Sequence, residues 1–195
     1  LAPDRALATA WYERSVVEVA RELLGCLLVS THGDATVSGV IVETEAYDGE
    51  DDPACHSAFR RTGVVRAMWG QRGTAYVYRA YGMYPCFNVV AGPGQRPAAV
   101  LIRALQPLQN LETMSARTDR KADARVSAGP GLTGRALGID LSDNGRSLQS
   151  APLWIQPGTT GFEIVSGPRI GITRGVDAEW RFGVRGSPSL SRRFS

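Results

Sequence analysis

Lysine is almost missing from this chain of 195 residues: Lys121 stands alone against 21 arginines. Chemistry that needs an amine of lowered pKa therefore has a single side chain to draw on. That lysine lies between Arg120 and Ala122 in a polar stretch where nothing local would desolvate it. Histidine is nearly as scarce, with His32 and His56 only, and His56 has no companion at metal-ligand spacing. The three cysteines, Cys26, Cys55 and Cys86, are widely spaced and odd in number, which suggests free thiols rather than a disulfide framework or a metal-binding pair. No apolar run approaches the length of a membrane span. The opening Leu-Ala-Pro-Asp-Arg lacks the basic and apolar sections of a secretory signal, so the cytoplasm is the expected compartment, nucleoid-associated in a bacterial source. There is no internal repeat and no interdomain linker, and the length suits one domain.

What is present is globular composition, 43% hydrophobic and 21% charged, with a net charge of +3. Arginine suits phosphate contacts through its planar fork of donors, so a nucleic-acid partner is allowed without being demanded.

The most informative stretch is Val40 to Tyr47, V-I-V-E-T-E-A-Y, an apolar strand that finishes in two glutamates and a tyrosine. With unbroken alternation, Val37, Ile41, Glu43 and Glu45 share one face, which turns from core to acid. A carboxylate at the rim of an apolar surface is poorly solvated, and its pKa is expected to rise toward the range useful for taking a proton from water. Glu45, nearer the open end and beside Tyr47, is the better candidate of the two. Solvated strand-end residues would fit the same eight letters.

Before it, Ser15 to Glu18 reads as a capping box opening a helix that Gly25 stops. Cys26 to Ser30 reads as a strand, and the turn His32-Gly33-Asp34 returns the chain as Thr36 to Glu45. Asp48 to Gly73 is a long polar stretch that holds the acidic run Glu50 to Asp52 and His56. Loops of that length are usually functional or mobile. Gly73 to Val90 predicts a hairpin with Tyr76 and Tyr78 on one face and Tyr81-Gly82-Met83-Tyr84 at its tip. Asn88 falls on its returning strand, where asparagine is disfavoured. Ala98 to Ile102 is a buried strand that ends in Arg103. Pro107 then opens a predicted helix with Leu108, Leu111 and Met114 on its apolar face.

Gly129-Pro130-Gly131 leads into a short helix that Gly138 stops. Amides at its start could hold a phosphate, and a plain turn fits equally well. Short strands follow at 153–156, 162–165, 169–173 and 181–185. Residues 1–10, 116–128 and 189–195 are expected to be flexible. The expected fold is α+β, a single domain with a curved, mainly antiparallel sheet flanked by helices and a protruding hairpin.

Several of these segments, V-E-T-E-A-Y, the His56-Ser57 pair, G-T-A-Y-V-Y, Y-G-M-Y-P-C-F-N, L-I-R-A-L-Q-P-L-Q-N-L-E-T-M, S-A-G-P and R-G-S-P, occur in an order and spacing that closely resemble the alkyladenine (3-methyladenine) DNA glycosylase family, over roughly Leu23 to Ser187. The resemblance implies a monofunctional base-excision enzyme, acting as a monomer without cofactor or metal on double-stranded DNA that contains damaged purines. Residue by residue, it implies that Glu45 is the general base for water and that Arg103 helps hold that water. It makes Tyr47, His56 and Tyr78 walls of the pocket for a flipped base. Tyr81 becomes the wedge left in the duplex, and Asn88 the side chain that crowds guanine. Arg60 to Gly70 departs from the family's T-P-R-N-type sequence, Pro85 replaces a bulkier residue, and the segment around Lys121 is shorter. Two other readings use the same residues: a damage-binding module without catalysis, and a hydrolase of small nucleosides.

Overall fold

Strand β2 (Val37–Tyr47) is the trunk on which the rest of the computed structural model is hung; residues 1–194 are described. The other strands are β1 (Leu27–Ser30), β3 (Ala75–Ala80), β4 (Tyr84–Ala91), β5 (Ala98–Gln109), β6 (Gln149–Ser150), β7 (Leu153–Gln156), β8 (Ile164–Gly167) and β9 (Arg181–Val184). They form one nine-stranded sheet in the order β3-β4-β5-β2-β1-β7-β6, with β9 joining β2 and β8 joining β9. Every strand pairing is antiparallel. The sheet curls into a half-barrel and the class is α+β, as expected. β5 follows β2 along nearly its whole length, while β1 pairs with the start of β2 and β9 with residues 43–45 near its end.

The concave core is filled by alternate residues of these strands, among them Val77, Phe87, Val89, Val100 and Ile102, together with Val16, Val19 and Ala20 of helix α1 (Val16–Glu22). The intervening residues, Tyr76, Val90 and Ala99, form a second, smaller cluster with Cys55, Val65 and Met68 on the other face. Two layers of packing on one sheet thus separate structural residues from those available to a site.

Several expectations need correction. Ser15 is the N-cap of α1, but its side chain makes no capping hydrogen bond. Pro107 opens no helix: β5 continues to Gln109, Leu108 is exposed, and helix α2 runs Leu111–Thr118 with Met114 buried. Proline fits there because β4 pairs with β5 only over Ala98–Leu101, which leaves the far part of β5 with a single strand neighbour. Residues 169–173 form no strand; they are an irregular link between β8 and β9. The segments 1–10, 116–128 and 189–195 each make some contacts with the rest of the fold. Leu7 is buried and donates its N–H to Ile155 O, Ser127 bonds Leu105 O, and Leu190 is buried, while Ser195 lies outside the described residues. Among the described residues no helix is long and apolar enough to cross a membrane.

Helix α3 (Pro130–Leu137) lies flat on the hairpin. A Cβ at Gly131 would come within 2.8 Å of Tyr84, and one at Gly134 within 2.2 Å of the carbonyl oxygen of Pro85. These glycines let a helix touch a strand backbone. Gly134→Ala should therefore push α3 off β4 and cost about 1–3 kcal/mol, read as a lower urea midpoint at unchanged slope.

Candidate active site

The site begins with an irregularity in β2. Ile41 pairs with Leu105, Glu43 with Ala104 and Thr44 with Ile102, so the register slips on each strand within three residues. Ile41 and Val42 consequently both face the main core, as do Ala104 and Leu105 opposite them. The unbroken alternation expected from the sequence is thus wrong: Val37 and Ile41 face the core, whereas Glu43, Glu45 and Tyr47 face the other side. A bulge redirects side chains in just this way. Thr44, on the core side, ties the bent strand to α1 through a 2.7 Å bond to Ala20 O.

Both glutamates are fully buried, so Glu45 does not lie at the apolar rim expected for it. Its Oε1 accepts from the backbone N–H of Ile170 at 2.7 Å. Its Oε2 accepts from the Tyr47 hydroxyl at 2.8 Å and lies 3.2 Å from Nη1 of Arg103. Glu43 accepts from Nε of Arg103 (3.0 Å), Nε of Arg181 (2.8 Å), and the N–H (2.6 Å) and hydroxyl (2.8 Å) of Ser191. Arg103 thus bridges the two carboxylates. Burial works against its charge, but Glu45 and Glu43 outweigh that and raise its pKa. Burial, and after it the charge of Glu45, pushes the Tyr47 phenol well up, so it remains a donor.

In front of this cluster lies a cavity of about 700 Å³. Tyr47, His56, Tyr78, Tyr81, Asn88 and Arg103 all line it, so six of the seven candidates border one cavity, with Glu45 bonded to Tyr47 and in contact with Arg103. His56 meets Tyr78 edge to face at 4.6 Å between ring centroids. Its Nδ1 is 2.6 Å from the hydroxyl of Tyr76. Burial, and secondarily Arg60, lowers the His56 pKa, so the ring is neutral at neutral pH. Burial keeps the phenols of Tyr76 and Tyr78 protonated. The amide nitrogen of Asn88 donates to the carbonyls of Tyr76 (3.0 Å) and Cys86 (3.3 Å), which fixes this side chain in the wall.

Tyr81 is 93% exposed at the hairpin tip. Tyr81 and Gly82 both have positive φ, 52° and 72°, and Met83 N–H bonds Ala80 O. This is the primed turn that suits a twisted hairpin. A non-glycine residue held there carries some strain, about 1–2 kcal/mol, and the turn projects its ring into solvent. Met83 beside it is also exposed.

Sequence reasoning missed part of the constellation. Nothing in the sequence marks the bond of Tyr76 to His56. Glu43 reads as the lesser of two acids, whereas it anchors Arg103, Arg181 and Ser191. The Ile170 amide has no side-chain signature at all. Arg169 and Asp52, which pair within this same region, lay in a supposed strand and an acidic run. Lys121 is exposed and does not line the cavity. His32 lies elsewhere, between Ser30 and Asp143. Among the described residues, no group of three or more His, Cys, Asp or Glu side chains is arranged to hold a metal ion.

The sequence model of the family Methylpurine-DNA glycosylase (MPG) matches residues 10–188. Curated relatives agree along the whole chain. A protein of Rhodopseudomonas palustris is 47% identical over 189 residues, 96% of this chain and 89% of the relative. One of Methanoculleus marisnigri is 44% identical, covering 96% and 99%, and one of Bacillus cereus 42%, covering 94% and 98%. All three bear the name "Putative 3-methyladenine DNA glycosylase". With a family match over most of its length and relatives this similar end to end, the chain belongs to the methylpurine-DNA glycosylase family.

Proposed function

We propose that the protein flips alkylated or deaminated purines out of duplex DNA and hydrolyses their N-glycosidic bond with a water activated by Glu45. The observation that carries this reading is the state of that carboxylate. An ionised carboxylate offers about four acceptor positions, two on each oxygen. On Oε2, Tyr47 takes one by a hydrogen bond and the charge of Arg103 Nη1 lies against the same oxygen at 3.2 Å; on Oε1, the Ile170 amide takes one. One position on Oε1 is left for a water, and the cavity alongside has the aromatic lining that a purine needs.

In the step itself, water oxygen bonds to C1′ and its proton passes to Glu45. The C1′–N bond breaks, and its electron pair leaves with the base. The bond breaks with sugar-cation character, so the buried carboxylate also favours the developing charge. A base inside the helix is out of reach, and extrusion costs a few kcal/mol, least at damaged or mispaired sites. Stacking on Tyr47, His56 and Tyr78 offsets that by roughly 1–3 kcal/mol per base. Tyr81 fills the gap in the minor groove, and Asn88, unable to swing away, excludes guanine by crowding its exocyclic amine. A hydrolase of free nucleosides would leave a fully exposed tyrosine on a strained tip without a task, and a mere binding module would not need a carboxylate so fully provided with donors.

Glu45→Gln keeps the shape of the side chain but cannot take the proton. Single-turnover release of base from duplexes that carry 3-methyladenine, hypoxanthine or ethenoadenine should fall about 10²–10⁴-fold, with lesion-duplex affinity largely retained; excision near the wild-type rate would remove Glu45 from the mechanism.

Tyr81→Ser should weaken both excision and affinity at every lesion in the same panel, because an empty gap favours return of the base. Unchanged values on duplex DNA would mean that the tip is not the wedge.

The product should be an intact strand with an abasic site. Strand cleavage through a Schiff base needs an amine, and Lys121 is away from the cavity wall. Borohydride added during turnover should trap no protein–DNA adduct, in wild type or in Lys121→Ala. A trapped adduct that Lys121→Ala abolishes would show the opposite.

A further inference from the structure

Two connecting segments wall the cavity, one through Pro53 to His56, where a short 3-10 helix begins, and the other, without regular structure, through Ile170 to Arg174. What joins them is a buried ion pair between residues far apart in sequence. Arg169 reaches Asp52 with both ends of its guanidinium, Nη1 to Oδ2 at 2.5 Å and Nη2 to Oδ1 at 2.9 Å. The remaining Nη donors go to the carbonyls of Ala46 (3.0 Å) and Gly175 (3.1 Å). Only Nε lacks a partner. Ala46 lies between Glu45 and Tyr47, and Gly175 closes the loop that Arg169 opens. The guanidinium carbon also lies 4.8 Å from the centre of the Tyr47 ring and 5.2 Å from that of Trp180. The residue after Arg169 supplies the amide that holds Oε1 of Glu45. Asp52 is itself fixed, by the N–H groups of Asp48 and Ala54.

We infer that Asp52 and Arg169 are a positioning pair for the reaction proposed above: together they fix the loop that carries the Ile170 amide, and through it the orientation of Glu45, while the same guanidinium backs the Tyr47 ring. Neither touches the substrate. A buried bidentate pair is a poor device for stability alone but a good one for holding one geometry. Ala46 and Tyr47 follow Glu45 on its strand, Ile170 donates to it, and Gly175 belongs to the same loop as Ile170. The inference rests on the glycosylase reading only for what Glu45 does, not for the clamp itself.

The test separates the two. In wild type, release of base from the lesion panel judges the glycosylase reading; the exchange rate of the Ile170 amide with deuterium judges the clamp without reference to catalysis. Asp52→Asn removes the charge and keeps the shape. Asp52→Glu keeps both charges, retaining the fold should the first variant lose it, and displaces the guanidinium by one methylene. Arg169→Lys keeps the charge but cannot hold Asp52, Ala46 and Gly175 at once. In each folded variant, the Ile170 amide should exchange at least about tenfold faster. Single-turnover excision should fall roughly 10- to 100-fold, as for a misplacement of about 1 Å, while affinity for a duplex with an abasic-site analogue stays within about twofold. In a Glu45→Gln background, adding Asp52→Glu should change residual excision less than about twofold, because the group being positioned is gone. Unchanged Ile170 protection, full activity in Arg169→Lys, or losses that multiply with Glu45→Gln would each overturn the positioning role.

Discussion

Two carboxylates lie fully buried, two residues apart on one strand, and much of the fold answers to that. Taking a carboxylate out of water costs several kcal/mol unless donors replace the lost solvent. Around Glu43 and Glu45 those donors come from five places: Tyr47 on the same strand, Arg103 on β5, Arg181 on β9, the Ile170 amide in the loop before β9, and Ser191 beyond it. No local segment could supply them. The requirement draws remote parts of the chain onto the end of β2, and it accounts for the order of the last described residues. There Arg181 also donates to the carbonyl of Arg192 and stacks on Phe194.

Such a cluster is close to all or none. With every member present, each charge is met; with one removed, a buried charge is left over, which is worse than an apolar site of the same shape. Glu43 illustrates this. It does not line the cavity, yet it orients Arg103 through Nε and so decides where Nη1 points toward Glu45. The acid that resembles a spare copy of Glu45 is instead the anchor of Arg103.

The elements were legible in the sequence wherever a pattern is local. The hairpin of β1 and β2, the tyrosine hairpin of β3 and β4, α1 and its Gly25 stop, and α3 between Gly129 and Gly138 all follow from alternation, helical spacing and glycine. Reading failed where tertiary context decides. Alternation cannot reveal that Ile41 and Val42 face the same way, because a bulge leaves no residue-type mark. The spacing of Leu108, Leu111 and Met114 imitates a helix across a strand that β2 holds extended as far as Gln109. The candidate residues themselves were legible because their side chains carry motifs. The Ile170 amide carries none, and Asp52 sat in an acidic run with nothing to indicate a partner 117 residues away.

The electrostatics of the cavity suit a base that has gained positive charge. A cation is drawn to electron-rich ring faces, but that attraction would be lost beside an uncompensated arginine or an imidazolium. Arg103 and His56 meet neither condition, whereas Arg174, which also lines the cavity, is exposed and has no ion-pair partner among the described residues. Arg103 enters the wall already matched by Glu45 and Glu43, so its charge projects little into the cavity. His56 is kept neutral by burial and then by Arg60, and its Nδ1 is engaged by Tyr76, whose phenol burial holds in the protonated form. On the function proposed above, the desolvation that would let the pocket stack a purine also removes the one ring charge that would repel an alkylated one, so that shape and charge selection would share a physical cause.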